Sequence, residues 1–227
     1  MSFTIDHVSA SYGGNTVIHD VCLEVPSDRF VGVFGHNGSG KSTLLKCMIG
    51  RIGAMAGDLR FDGHPVVPDK VHRNVMLGIG FVPQTQNVFP NLSVWDCLRI
   101  AAMNHQPMDV AVLDLFPAIA NRRRARAGSL SGGQQQMLAV AMALMTRPKV
   151  VLLDEPTAGL APNLANEVLN SLQDINRKTG TGIIIVEQNV VTALRMAERA
   201  IIMKGGRVAY DGPTTELQRQ EDLWHYF

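Results

Sequence analysis

The nine residues Gly35-His36-Asn37-Gly38-Ser39-Gly40-Lys41-Ser42-Thr43 constrain this chain more than any other stretch. They follow an apolar run, Phe30 to Phe34, and precede a helix-like segment, Leu44 to Ile49. Strand, glycine-rich loop and helix in that order form the setting in which G-x-x-x-x-G-K-[ST] works as a phosphate cradle. Gly35, Gly38 and Gly40 let the backbone approach phosphate oxygens and turn its N–H groups inward, and the helix N-terminus adds positive potential. Asn37, Ser39 and Thr43 belong to the same loop. Lys41 has the reach for β- and γ-phosphates, and the Ser42 hydroxyl is an oxygen ligand for Mg²⁺. A plain glycine-rich turn carrying a lysine is the competing reading. The flanking strand and helix decide for nucleotide binding.

The rest of the chain reads as an α/β core with a helical interruption. Residues 3 to 34 are short strands with turns at Tyr12-Gly13-Gly14-Asn15 and Pro26-Ser27-Asp28. Gly50 to Pro68 is punctuated by glycine and proline, with a strand-like piece from Asp58 to Asp62. Ile79 to Pro83 is another short strand, ending at Gln84. From Ser93 to Arg147 the helical period takes over, and Met137, Leu138, Ala141, Leu144 and Met145 make one apolar face. Val150 to Leu153 and Ile183 to Val186 are continuous apolar runs of the kind found in buried parallel strands, joined by a helix from about Asn163 to Lys178.

Composition excludes several classes. The 227 residues suffice for one domain with a large core, and the 46 % apolar content is ordinary for a globular protein. A formal charge of +1 argues against a general nucleic-acid or anionic-membrane surface. Cys22, Cys47 and Cys97 are scattered, which suits a reducing compartment better than a disulfide or metal framework. No run approaches the roughly 18 apolar residues of a membrane span. Met1 to Asp6 lacks the basic and apolar regions of a signal peptide, so a cytoplasmic location is expected.

Two further motifs carry chemistry. The strand Val150 to Leu153 ends in Asp154-Glu155, where open α/β sheets place their ligands. Asp154 is placed to hold Mg²⁺, directly or through water, and Glu155 is the natural general base for water attacking a γ-phosphate. Without the phosphate loop this pair would read as a strand cap. Leu130-Ser131-Gly132-Gly133-Gln134 opens the Met-rich helix. Ser131 suits an N-cap, and the paired glycines expose N–H groups at a positive helix end, a second anion site on a different element.

Leu130 to Gln134 resembles the signature motif of ATP-binding-cassette (ABC) proteins, and it stands in their order with phosphate loop, Gln84 and Asp154-Glu155. The resemblance covers essentially the whole chain. It implies a P-loop NTPase core, the ABC nucleotide-binding domain, with an N-terminal antiparallel β region. Residues 1–84 and 150–227 would form the core and 85–149 the helical part of a single domain. It implies head-to-tail dimerisation, each ATP lying between one chain's phosphate loop and the other's Ser131, Gly132, Gly133 and Gln134. It also implies that Tyr12 stacks on adenine and that Gln84 touches Mg²⁺ and the attacking water. Gln84 also begins the helical insert, so it could couple γ-phosphate contacts to movement of that part.

Two positions depart from the family pattern. Ala161 stands where most cassettes carry aspartate, and Gln188 where most carry a switch histidine. Gln188 still donates a hydrogen bond to a γ-phosphate oxygen but cannot carry a proton as imidazole can. Hydrolysis is expected to survive, since Glu155 is present. Gly159-Leu160-Ala161-Pro162, Val186-Glu187-Gln188-Asn189 and Gln134 to Ala139 resemble one branch of cassettes, the smaller ATP-binding subunit of importers for branched-chain amino acids, urea and amides. That implies a heterodimer with a second, histidine-bearing cassette on the cytoplasmic face of the inner membrane. It further implies two membrane permease subunits contacted by Thr85 to Arg99, and, indirectly, a periplasmic binding protein. The competing classes are a non-transport cassette clamping nucleic acid or ribosome, and a degenerate module that gates without hydrolysing.

Other features read as structural. Four arginines within Asn121 to Arg126 suggest a solvated basic loop rather than a nucleic-acid patch, because the remaining surface is not basic. Met76, Met103, Met108 and the Met137 to Met145 cluster read as core or adaptable contact surface, and Trp224 to Phe227 as an aromatic end packed on the core.

Overall fold

The computed structural model describes residues 1–12, 14–85, 87–102, 108–188 and 190–217. In chain order it runs β1 (Ser2–Tyr12), β2 (Asn15–Pro26), β3 (Phe30–Phe34), α1 (Lys41–Met48), β4 (Ala54–Phe61), β5 (His64–Pro65), α2 (Val71–Met76) and β6 (Ile79–Val82). The helical part follows with α3 (Val94–Ala101), α4 (Pro117–Ala120) and α5 (Gly132–Leu144), joined by 3₁₀ turns at Val110–Leu115 and Ala127–Ser129. Then come β7 (Val150–Asp154), α6 (Pro162–Thr179), β8 (Gly182–Val186), α7 (Val190–Met196), β9 (Arg199–Lys204), β10 (Arg207–Pro213) and α8 (Thr214–Leu217).

Two sheets organise these elements. An antiparallel sheet has the order β2-β1-β4-β5, and its strands are interrupted by register shifts on both sides of β1. The second sheet runs β10-β9-β3-β8-β7-β6, parallel throughout except for β10. Strand alternation in this sheet separates two cores. Val150, Leu152, Ile184 and Val186 face the antiparallel sheet and α1, whereas Val151, Leu153, Ile183 and Ile185 face α5, α6 and the helical part. Both faces are covered, which is why these strands are unbroken apolar runs.

Met137, Leu138, Ala141, Leu144 and Met145 of α5 are all buried, as the helical period required. Among the remaining methionines, Met108 packs against that core, whereas Met76 is exposed and belongs to the surface. Met103 and Trp224 to Phe227 lie outside the described residues. Cys47 and Cys97 are buried, and burial pushes the Cys47 thiol up to about 12, so only Cys22 presents an accessible thiol. Among the described residues no helix is long and apolar enough to cross a membrane.

Ile184 sits at the centre of β8, fully buried and hydrogen-bonded between β3 and β7. Ile184→Ala is expected to cost about 2–5 kcal/mol of stability, because the surrounding strands cannot collapse onto the cavity. Urea unfolding measures this; a loss below about 1 kcal/mol would show that the sheet relaxes around the site.

Candidate active site

Sheet order decides which residues meet. β3, β8, β7 and β6 are consecutive and parallel, so the segments after all four emerge at one edge, where open α/β sheets bind ligands. The segment after β3 is the glycine-rich loop, that after β6 brings Gln84, β7 ends in Asp154-Glu155, and β8 leads to Gln188. A cleft of about 330 Å³ at this edge is lined by Val17, Asn37, Gly38, Gly40, Lys41, Ser42, Thr43, Gln84, Glu155 and Gln188.

The loop after β3 has the backbone that its glycines permit. Gly35, Gly38 and Gly40 have φ of 143°, 79° and 101°, in the left-handed range. At Gly35 a Cβ would lie 2.2 Å from the Met203 carbonyl, so no other residue fits there. Gly40 caps α1 without offering a side-chain acceptor, which leaves first-turn N–H groups for another partner. Ser39 Oγ is buried with no hydrogen-bond partner among the described residues.

Lys41 is buried, and its ammonium donates to the carbonyls of Gly35 and His36 at 2.8 and 2.9 Å. Burial lowers its pKa, opposed by the nearby carboxylates of Glu155 and Asp154. Ser42 Oγ donates to Asp154 Oδ1 at 2.6 Å, bringing a hydroxyl and a carboxylate together from positions 112 residues apart.

Glu155 is the centre of the cluster. The side-chain amides of Gln84 and Gln188 both donate to its Oε2, each at 2.7 Å. Its backbone has φ of 48°, which places a non-glycine residue in the left-handed region immediately before Pro156. Such a conformation persists only when its surroundings over-determine it. Here the Glu155 N–H is held by the Val186 carbonyl at 2.9 Å and the Glu155 carbonyl by the Ala158 N–H at 3.1 Å.

Two groups of predicted residues stand apart from this cleft. Tyr12 ends β1 with 65 % of its surface exposed and does not line the cleft. Ser131 to Gln134 begin α5, where Ser131 accepts the Gln134 N–H and the Gln134 side chain accepts the Ser131 N–H, a capping box. Ser131 and Gly132 are exposed, and Gly133 is buried against Leu164. The arginines of the basic loop are exposed, with Arg123 over the Trp95 ring at 5.3 Å.

Sequence reasoning passed over Glu187. It is 2 % exposed, and its Oε1 accepts the Thr157 N–H at 3.1 Å. Burial raises its pKa, with Thr157 and the Gln188 N–H opposing. The available signal was a carboxylate placed directly after a wholly apolar strand and before Gln188. Outside the cleft, Asp6, His7 and Cys22 form an exposed cluster on the antiparallel sheet. Hydrogen bonding to Asp20 raises the His7 pKa.

Known proteins resemble this chain in sequence and in fold. The ABC transporter family model matches residues 18–158. The branched-chain amino acid transport ATP-binding protein BraG of Pseudomonas aeruginosa is 38 % identical over 210 residues, covering 90 % of each chain. The probable branched-chain amino acid transport ATP-binding protein LivF of Archaeoglobus fulgidus is 37 % identical over 219 residues, covering 94 % of this chain and 93 % of that one. Among solved structures, cbiO1 of Clostridium perfringens, part of the ABC transporter complex cbiONQ, superimposes with a TM-score of 0.86 at 25 % identity, over 98 % of this chain and 92 % of that one. With its glycine-rich loop, acidic strand end and two glutamines gathered at one sheet edge, the chain belongs to the ABC transporter family as an ATP-binding cassette with ATPase activity.

Proposed function

We propose that this cassette powers an importer of branched-chain amino acids or related small solutes, working as one domain whose residues 85–149 form the helical part. The observation that carries the catalytic reading is the double hydrogen bond on Glu155 Oε2, which leaves Oε1 free of both glutamine amides. In this reading Glu155 accepts the proton of the attacking water, and the amides of Gln84 and Gln188 hold the carboxylate in place. The N–H groups of the loop from Gly35 to Thr43 bind phosphate oxygens, assisted by the Lys41 ammonium. The orphaned Ser39 hydroxyl fits a site that an anion completes.

The Ser42 hydroxyl and Asp154 carboxylate fit Mg²⁺ by their chemistry, being hard oxygen donors brought side by side by their mutual hydrogen bond. Bound there, Mg²⁺ would neutralise charge developing on the phosphates. Tyr12, exposed at the end of β1, supplies a ring face for adenine. Ser131, Gly132, Gly133 and Gln134, exposed or half-exposed apart from Gly133, serve the ATP of a second cassette.

Gln188 has a defined share in this scheme. Gln188→Ala is expected to slow single-turnover hydrolysis about tenfold, because one hydrogen bond to a charged group is lost. A rate equal to the parent would remove any role for Gln188.

The importer reading draws on the similarity to BraG and LivF, whose names assign them to branched-chain amino acid transport. It places the chain on the cytoplasmic face of the inner membrane, with a second cassette and two permeases contacted through Thr85 to Arg99, fed by a periplasmic binding protein. Affinity purification of tagged Glu155→Gln protein from native membranes with Mg-ATP tests it. Recovery of a second cassette with two polytopic proteins supports the importer. Recovery of the chain alone, or with ribosomal or nucleic-acid proteins, overturns it.

A further inference from the structure

We infer that Glu187 is a positioning residue for hydrolysis, a buried carboxyl that locks the loop carrying Gln188 to the turn that presents Glu155. The inference rests on the reading of Glu155 as general base.

The two loops leave neighbouring parallel strands, β7 and β8, and among the described residues three contacts join them. The first is between main chains, Glu155 N–H to the Val186 carbonyl at 2.9 Å. The last is between side chains, the Gln188 amide to Glu155 Oε2 at 2.7 Å. Glu187 supplies the one between them: its Oε1 takes the Thr157 N–H at 3.1 Å. One side chain, on the residue next to Gln188, therefore grips the backbone two places after Glu155.

That grip falls where the backbone needs it. Glu155 sits at φ 48°, and such a conformation reverts unless both flanks are held. On the N-terminal flank β7 is anchored in the sheet; on the C-terminal flank the Ala158 N–H holds the Glu155 carbonyl, and the Thr157 N–H ties the turn to Glu187. The same turn continues to Leu160, whose N–H bonds the Thr157 carbonyl at 3.1 Å and whose side chain abuts Gly132. The geometry thus runs from Gln188 through Glu187 to the turn after Glu155 and on to the start of α5.

A structural explanation alone would need an ion pair or an ordinary strand cap. None of the ion pairs among the described residues includes Glu187. A carboxyl 2 % exposed and without a cation is an expensive way to satisfy one backbone N–H, which a threonine or asparagine could do.

The test measures ATP hydrolysis by the full chain, with rates counted per ATP-binding site so that loss of folded protein does not register. Glu187→Ala is expected to lower kcat about tenfold while KM stays within twofold, since a small misplacement of a catalytic group costs turnover and not binding. Glu187→Gln keeps an oxygen for the Thr157 N–H and should recover most of that loss. Equal kcat in Glu187→Ala and parent overturns the inference, as does a KM rise that matches the fall in kcat. So does a Glu187→Gln variant as impaired as Glu187→Ala. Glu155→Gln, assayed alongside, separates the two readings. If it hydrolyses normally, the base assignment fails; if it is inactive and Glu187→Ala is not, only the role of Glu187 fails.

Discussion

Glu155→Gln should bind ATP with the parent affinity and hydrolyse it about 10²–10⁴ times more slowly, the range that a positioned general base contributes. The substitution is nearly isosteric, and its carbonyl oxygen can occupy the Oε2 position to which Gln84 and Gln188 donate. The left-handed turn and its Val186 and Ala158 hydrogen bonds involve only backbone, so they persist. What disappears is the capacity to accept a proton from water. Single-turnover kinetics with excess protein, paired with nucleotide binding at equilibrium, isolates the chemical step. A rate within about fivefold of the parent would assign the base elsewhere; a loss of binding would make Glu155 a ligand of the nucleotide instead.

Lys41→Ala should weaken ATP binding roughly ten- to hundredfold and depress turnover with it, the worth of charged hydrogen bonds at about 1.5–3 kcal/mol. Lys41 is nearly enclosed, and among the described residues lining the cleft it alone carries a positive charge. Its present partners are the Gly35 and His36 carbonyls, both within the loop it serves, so it rigidifies that loop as well. Lys41→Arg should rescue little, because a planar fork is bulkier than the ammonium and presents its donors in different directions. Titration with nucleotide alongside a thermal melt separates the two roles. An unchanged dissociation constant would refute phosphate binding, and a melting loss with no change in affinity would leave only the structural role.

Much of this architecture was legible before any coordinates. β3, β7 and β8 announced themselves as short unbroken apolar runs, because strands covered on both faces have no polar face to show. α6, read as about Asn163 to Lys178, runs from Pro162 to Thr179, since its amphipathic period is long and its ends carry Pro162 and Gly180. Shorter elements were less visible. α2 has six residues, too few for a helical period to show. β4 begins at Ala54, four residues before the segment that looked strand-like, because its first half pairs with the bulged part of β1. Among the described residues, the helical stretch from Ser93 to Arg147 holds three separate helices and two 3₁₀ turns, with Pro117 opening one helix and Gly128 in a turn.

The functional residues divide in the same way. The sequence alone determined the glycine-rich loop and the acidic strand end, because a phosphate cradle is built from nine consecutive residues whose backbone freedom is written in their glycines. It also carried the N-cap at Ser131, which the structure completes as a capping box with Gln134 three residues on. Only the tertiary structure decided that Gln84 and Gln188 converge on one oxygen of Glu155, across separations of 71 and 33 residues, and that Glu187 turns inward to Thr157. Local periodicity encodes which face of a strand is buried but not which strand lies beside it. The order β3-β8-β7-β6 is set by packing of the whole sheet, and that order brings these distant side chains within hydrogen-bonding distance.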